Sequence, residues 1–121
     1  MKNNYYDYEA GAIQDLELPT LDCSNLMNAT LTFNYAYTSY PGYNDSLRIQ
    51  LSEDCGATWQ NLFYSGGIDL STAPATTRSF FPLPDQWKSK KLALNSTGSE
   101  VLLRFRSINR NGNNLFLDDI Q

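Results

Sequence analysis

The feature that most limits what this chain can fold into is an apolar period of two, repeated in one segment after another. Leu31, Phe33, Tyr35 and Tyr37 alternate with Thr30, Thr32, Asn34 and Ala36. Leu47, Ile49 and Leu51 alternate with Ser46, Arg48, Gln50 and Ser52, and Val101, Leu103 and Phe105 alternate with Leu102, Arg104 and Arg106. In an extended strand successive side chains point to opposite faces, so each segment reads as a strand with one apolar and one polar side. The closing run 115–120 is apolar on both faces, as a strand covered on both sides is. Weaker candidate strands lie at 13–21, interrupted by Pro19, at 59–64 and at 88–94. No segment keeps a helical period over twelve residues, and Gly, Pro, Asn or Asp punctuates the chain every eight to twelve positions. Strands in that rhythm predict an all-β, two-sheet antiparallel β-sandwich. The 121 residues suffice for one such domain, spanning 1–121. Residues 65–85, with three prolines, read as a long surface excursion between strands.

Charge and composition then remove several functions. Thirteen acidic against nine basic side chains give a net charge of −4 with no block of like charge, a poor match for nucleic acid. There is no histidine, which takes away the commonest general base and the commonest transition-metal ligand. No nucleophile with a base partner is singled out, and thirteen carboxylates would form chance pairs in most folds, so the expectation is a non-catalytic protein. The longest apolar runs are three or four residues, too short for a membrane-spanning helix. The opening Met1-Lys2-Asn3-Asn4 has no apolar run behind its lysine, so an export signal is expected to have been removed or to lie outside this sequence. Cys23 and Cys55 are too far apart for a metal knuckle or a redox pair. One disulfide between them is the sharper reading, and two buried free thiols the other.

Four groups of residues stand out, with structural or recognition roles. Ser52-Glu53-Asp54-Cys55-Gly56-Ala57-Thr58-Trp59 fits Ser-x-Asp-x-Gly-x-Thr-Trp and resembles the Asp-box hairpin, in which the aspartate accepts from turn amides, the glycine supplies a positive φ and the tryptophan packs under the turn. That role is structural. Thr30, Thr32 and Asn34, Arg48 and Gln50, and Arg104 and Arg106 occupy the polar sides of their strands; on a shared sheet they form one face able to bind a sugar or an acidic peptide. The alternative is a solvated face whose arginines pair with Asp45, Glu100 or Asp118. Tyr37, Tyr40 and Tyr43 surround a Pro-Gly turn, and 108–114 forms a second polar loop that includes Asn109 and Asn111. Aromatic and amide groups together suit a pyranose ring, with its apolar face and hydroxyl rim, and loop packing is the other use of the same residues. Asp118 and Asp119 near the end, with Asp15 on a segment that could run alongside, offer hard oxygen ligands suited to structural calcium, or stand as exposed carboxylates without an ion.

The order and spacing of several strings resemble MAM-like jelly-roll domains appended to secreted proteins of Bacteroidetes, often beside metallopeptidase or sorting domains. The matching pieces are NNYYDY at 3–8, NATLTFNYAY at 28–37, SEDCGATW at 52–59, TAP at 72–74, QW at 86–87, RFRSIN at 104–109 and GNNLFLDDI at 112–120. The resemblance implies export, absence of catalysis and attachment to a larger extracellular protein. It also implies carbohydrate or protein as ligand, since related jelly rolls include carbohydrate-binding modules and adhesive MAM domains. In such relatives a closing Asp-Asp-Ile often holds calcium, which places Asp118 and Asp119 in that role. Such domains normally begin with a strand about twenty residues upstream, so the resemblance also implies an absent first strand and an open sheet edge. That edge could pair with a neighbour or a swapped copy.

Overall fold

The computed structural model describes residues 2–3, 13–24, 29–42, 45–94, 98–108 and 113–121. Among the described residues eight strands follow one another: β1 (Lys2–Asn3), β2 (Ile13–Glu17), β3 (Thr30–Tyr37), β4 (Ser46–Ser52), β5 (Gln60–Gly66), β6 (Lys88–Ala93), β7 (Leu102–Ile108) and β8 (Leu115–Asp118). They form two sheets, ordered β1-β8-β3-β6 and β2-β7-β4-β5, with every pairing antiparallel. The pairs are nested. β4 pairs with β5, β3 with β6, β2 with β7 and β1 with β8, as if one long hairpin had been wrapped around a barrel. Wrapping sends alternate pairs to opposite sheets, and the β3–β8 and β4–β7 contacts close each sheet into the jelly-roll form of the predicted sandwich.

The period of two becomes the core. Leu31 and Phe33 of β3, Leu47, Ile49 and Leu51 of β4, Leu103 and Phe105 of β7, and Leu115 and Leu117 of β8 are all at most 2% exposed. Phe33 and Phe105 meet edge to face across the two sheets, with ring centroids 5.2 Å apart. Candidate segments 59–64 and 88–94 are β5 and β6. Segment 13–21 is a strand only to Glu17; Leu18 still donates to Leu103, Pro19 cannot donate, and Leu21 regains a bridge to Val101. β8 ends at Asp118 because Asp119 takes a positive φ of 49°. The chain then rejoins β3 through reciprocal bonds between Gln121 and Thr32, so the Asp-Asp pair sits in a bulge on the strand it closes.

The excursion 65–85 is fastened to one end of the sandwich. It opens with a short helix, α1 (Gly67–Leu70), which drives Leu70 into the core at 1% exposure. Thr72 then bonds the Tyr37 backbone in both directions, and Thr38 donates to the carbonyls of Ala73 and Pro74. Asn113 donates its side-chain amide to the carbonyls of Thr76 and Arg78, while its Oδ1 accepts from Phe80 and Asn114. Asn114 donates to Ser79 Oγ and the Phe80 carbonyl. These bonds lay Phe80, Phe81 and Trp87 around Phe116 on the outer side of the β1-β8-β3-β6 sheet, with centroids 6.2 to 6.3 Å from that ring.

The expected disulfide is not formed. Cys23 and Cys55 are both free: Cys23 is 1% exposed in the core, whereas Cys55 is exposed on the β4–β5 turn. The hairpin motif explains the difference, because Cys55 is one of its variable positions and takes a left-handed φ of 59° on the tight turn. Its sulfur lies 4.0 Å from Glu100 Oε2. Alkylation of the native protein should therefore modify Cys55 alone, with Cys23 reacting only after unfolding. A non-reduced, denatured sample that takes up no alkyl group would restore the bridge.

Candidate binding site

Register decides which side chains share the outer face of the β2-β7-β4-β5 sheet. Residues directly opposite in an antiparallel ladder point the same way. One row across the four strands is therefore Asp15, Arg106, Arg48, Tyr64, and the next is Glu17, Arg104, Gln50, Asn61. A bulge in β5 keeps the second row polar: Ile49 pairs with Phe63 but Gln50 pairs with Asn61, so Leu62 is the extra residue and packs against the core. Arg48, Arg104 and Arg106, expected on one polar face, are brought together. Thr30, Thr32 and Asn34 are not among them, because β3 belongs to the other sheet.

The three guanidinium groups have different surroundings. Arg106 makes a two-pronged pair with Asp15, its Nε donating to Oδ1 at 2.8 Å and its Nη2 to Oδ2 at 2.9 Å. That pair, rather than one with Asp45, Glu100 or Asp118, neutralises it, and the bond from Arg106 holds the Asp15 carboxyl below its ordinary pKa. Arg104 donates Nε to Gln50 Oε1 at 2.7 Å, and Gln50 passes its own amide to Asn61 Oδ1 at 2.9 Å. The Arg104 guanidinium lies 3.9 Å from the centroid of the Trp59 ring. Burial, followed by the neighbouring Arg106 charge, lowers its pKa. Arg48 lies 5.2 Å from the centroid of Tyr64, and its Nε is buried without an acceptor.

The β4–β5 turn explains how Trp59 reaches this face. Asp54 Oδ1 accepts from Thr58 N at 2.8 Å and from Ser52 Oγ at 2.7 Å, and Oδ2 accepts the Thr58 hydroxyl. Ser52 Oγ in turn accepts from Gly56 N at 2.9 Å. Gly56 has a φ of 89°, the left-handed conformation that favours glycine, and the Trp59 ring packs beside it. The Asp-box reading holds, with the turn seating Trp59 against Arg104. Bonds from Thr58 lower the Asp54 pKa from 3.8 to about 2. Because the folded value is depressed, the carboxylate's contribution to the turn is complete above the ordinary value and fades as pH falls through about 2.

A cavity of about 460 Å³ opens where this face meets the end of the sandwich, lined by Ser46, Arg48, Tyr64, Asp69 and Ile108 among others. Tyr64 is 60% exposed there. The loops leaving β3 and β7 emerge at this same end, since Ser46 pairs with Ile108 and Tyr37 with Leu115. Tyr40 is half-buried in the first loop, and Tyr43, Asn109 and Asn111 lie outside the described residues. Tyr37 is not a ligand platform: it is fully buried, with its hydroxyl donating to Asp45 Oδ2 at 2.7 Å.

The expected calcium ligands do not converge. Both oxygens of Asp15 are committed to Arg106 on one sheet, whereas Asp118 and Asp119 belong to the other. Asp118 Oδ1 accepts from Asp119 N at 2.9 Å, and Asp119 Oδ2 accepts from Asn34 at 3.0 Å, so both shape the bulge. Among the described residues no group of three or more His, Cys, Asp or Glu gathers to hold a metal.

No protein-family model matches this chain, and no curated protein matches it either. The geometry carries the functional argument. Trp59, Tyr64 and Asn61 join this site from candidate strand 59–64, beyond the residues expected on the polar face. The signal available was their polar and aromatic character on the outward side of that strand, and the bulge at Leu62 broke the alternation that would have revealed it.

Proposed function

We propose that this chain is a non-catalytic binding module that takes carbohydrate on the outer face of the β2-β7-β4-β5 sheet. One observation carries the reading: the Tyr64 ring, 60% exposed, forms a wall of a polar cavity beside Arg48 and one row from an Arg104–Gln50–Asn61 chain of hydrogen bonds. A sugar offers an apolar ring face for an aromatic side chain and a rim of hydroxyls for amide and guanidinium groups. Arg104, Gln50 and Asn61 are held by one another and by Trp59, so little ordering of these three remains to be done on binding. The setting implied by the resemblance to MAM-like and carbohydrate-binding jelly rolls is an accessory domain of a larger extracellular protein.

A polysaccharide and oligosaccharide array followed by titration tests this reading. Tyr64→Ala should weaken the best glycan about three- to tenfold, the range expected for loss of one aromatic contact, and leave the melting temperature within a few degrees. Absence of any glycan binding at millimolar concentration would refute it. A second reading, a protein-contact module, is favoured by Phe81 and Leu83, 63% and 61% exposed on the segment that wraps the opposite sheet. A partner whose binding is lost in Phe81→Ser and kept in Tyr64→Ala would support that alternative.

A further inference from the structure

The three arginines of the binding face stand side by side, and two of their forks are occupied. Arg106 holds Asp15 with Nε and Nη2, and Arg104 directs Nε to Gln50. Arg48 directs its Nε at no acceptor, and among the described residues no carboxylate pairs with it. Buried donors in folded proteins nearly always have partners, so a lone one beside a cavity marks a place where a partner arrives from outside. The two rows contain three guanidinium groups against the carboxylates of Asp15 and Glu17, and the cavity beside them is also lined by Asp45 and Asp69, so what a carboxylate would meet there is the unpaired guanidinium of Arg48 and not a net positive charge.

We infer that the cavity between Ser46, Arg48, Tyr64 and Asp69 takes a sugar residue bearing a carboxylate, a uronic acid, with the Arg48 guanidinium as the carboxylate receptor. This rests on the carbohydrate reading above and deepens it. Because the Arg48 Nε is buried, the guanidinium swings outward to meet the acid, which it then holds in the fork geometry that Arg106 uses on Asp15. Drawing the guanidinium off the Tyr64 ring frees that ring to stack on the sugar. Asp69, exposed on the cavity rim, accepts from a sugar hydroxyl. An acidic peptide brings carboxylates but no hydroxyl rim for Asp69, whereas a uronic acid supplies both. A uronic acid has its carboxylate on one edge and hydroxyls on the others, matching a site with one unpaired guanidinium and a carboxylate acceptor on its rim.

The test compares trimers of galacturonate, glucuronate and mannuronate with their methyl esters by titration calorimetry. At least one acid trimer should bind the native protein about tenfold or more tightly than its ester, the gain expected of a charge-assisted fork. That ratio should fall to about one in Arg48→Ala, and to an intermediate value in Arg48→Lys, which keeps the charge and loses the fork. Equal affinity of acid and ester for the native protein overturns the inference without any variant, as does a ratio that survives in Arg48→Ala. Binding of neutral glycans with rejection of every uronate overturns it and leaves the carbohydrate reading intact, whereas rejection of all glycans removes both. Arg48-dependent binding of a poly-glutamate peptide in place of any uronate would assign the fork to a protein partner and also overturn it.

Discussion

Asp45→Ala should destabilise the fold by about 3–5 kcal/mol and lower its melting temperature by about 10 °C or more. Asp45 is fully buried where the β3–β4 loop, the excursion and the β7–β8 loop meet. Its Oδ2 accepts from the Tyr37 hydroxyl at 2.7 Å and from Asn113 N at 2.9 Å. Its own N–H donates to the Tyr37 hydroxyl at 3.2 Å, and its carbonyl accepts from Gly67 at the start of α1. Removing the carboxylate leaves two buried donors without this acceptor, and each such orphan costs about 1–3 kcal/mol. The loss does not stop at Asp45, because Asn113 also fastens residues 76–80 to the sheet. Urea unfolding of Asp45→Ala and Tyr37→Phe, singly and together, checks the account: the double variant should lose clearly less than the sum, since both remove the same bond. A cost for Asp45→Ala below about 0.5 kcal/mol would show that this polar cluster does not hold the end of the sandwich.

Phe105→Ala should cost a similar amount for an unrelated reason. Phe105 is fully buried in β7 and meets Phe33 of the facing sheet edge to face at 5.2 Å. Removing a ring from a packed core forfeits its transfer free energy and leaves a cavity that the two sheets cannot close, about 3–5 kcal/mol together. Phe105→Leu, which keeps most of the volume, should cost less than half as much. Equilibrium denaturation distinguishes the two, and equal losses would mean that the Phe33–Phe105 contact is not where the sheets are joined.

How much of this was legible beforehand depends on the range of the interaction. The alternation through Leu31–Tyr37, Leu47–Leu51 and Val101–Arg106 sets which side chains face inward, and those strands and faces are the observed ones. Alternation carries no information about which sheet a strand joins. Arg48 and Arg104 therefore share a face, whereas Thr30, Thr32 and Asn34, which would join them only on a shared sheet, are placed on the other sheet by the wrapping of the hairpin. The Ser52–Trp59 turn could be read because its bonds are local, from Asp54 to Thr58 and from Ser52 to Gly56. Asp45, Asn113 and Asn114 resembled ordinary loop residues, and only contacts across 33 to 68 positions show them to be buried fasteners. The Cys23–Cys55 bridge failed for the same reason, since separation along the chain says nothing of where each sulfur points. Asp15 was placed beside Asp118 and Asp119, and its register against Arg106 puts it on the opposite sheet.

The proposed ligand face is the outer side of the β2-β7-β4-β5 sheet. Backbone amide shifts followed by NMR while the protein is titrated with the tightest glycan from the array test it most directly. The largest changes should fall on Arg48, Gln50, Tyr64, Arg104 and their strand neighbours, with Trp59 Nε1 moving as well. Changes confined to β3, β6 and β8, on the far side of the sandwich, would contradict it.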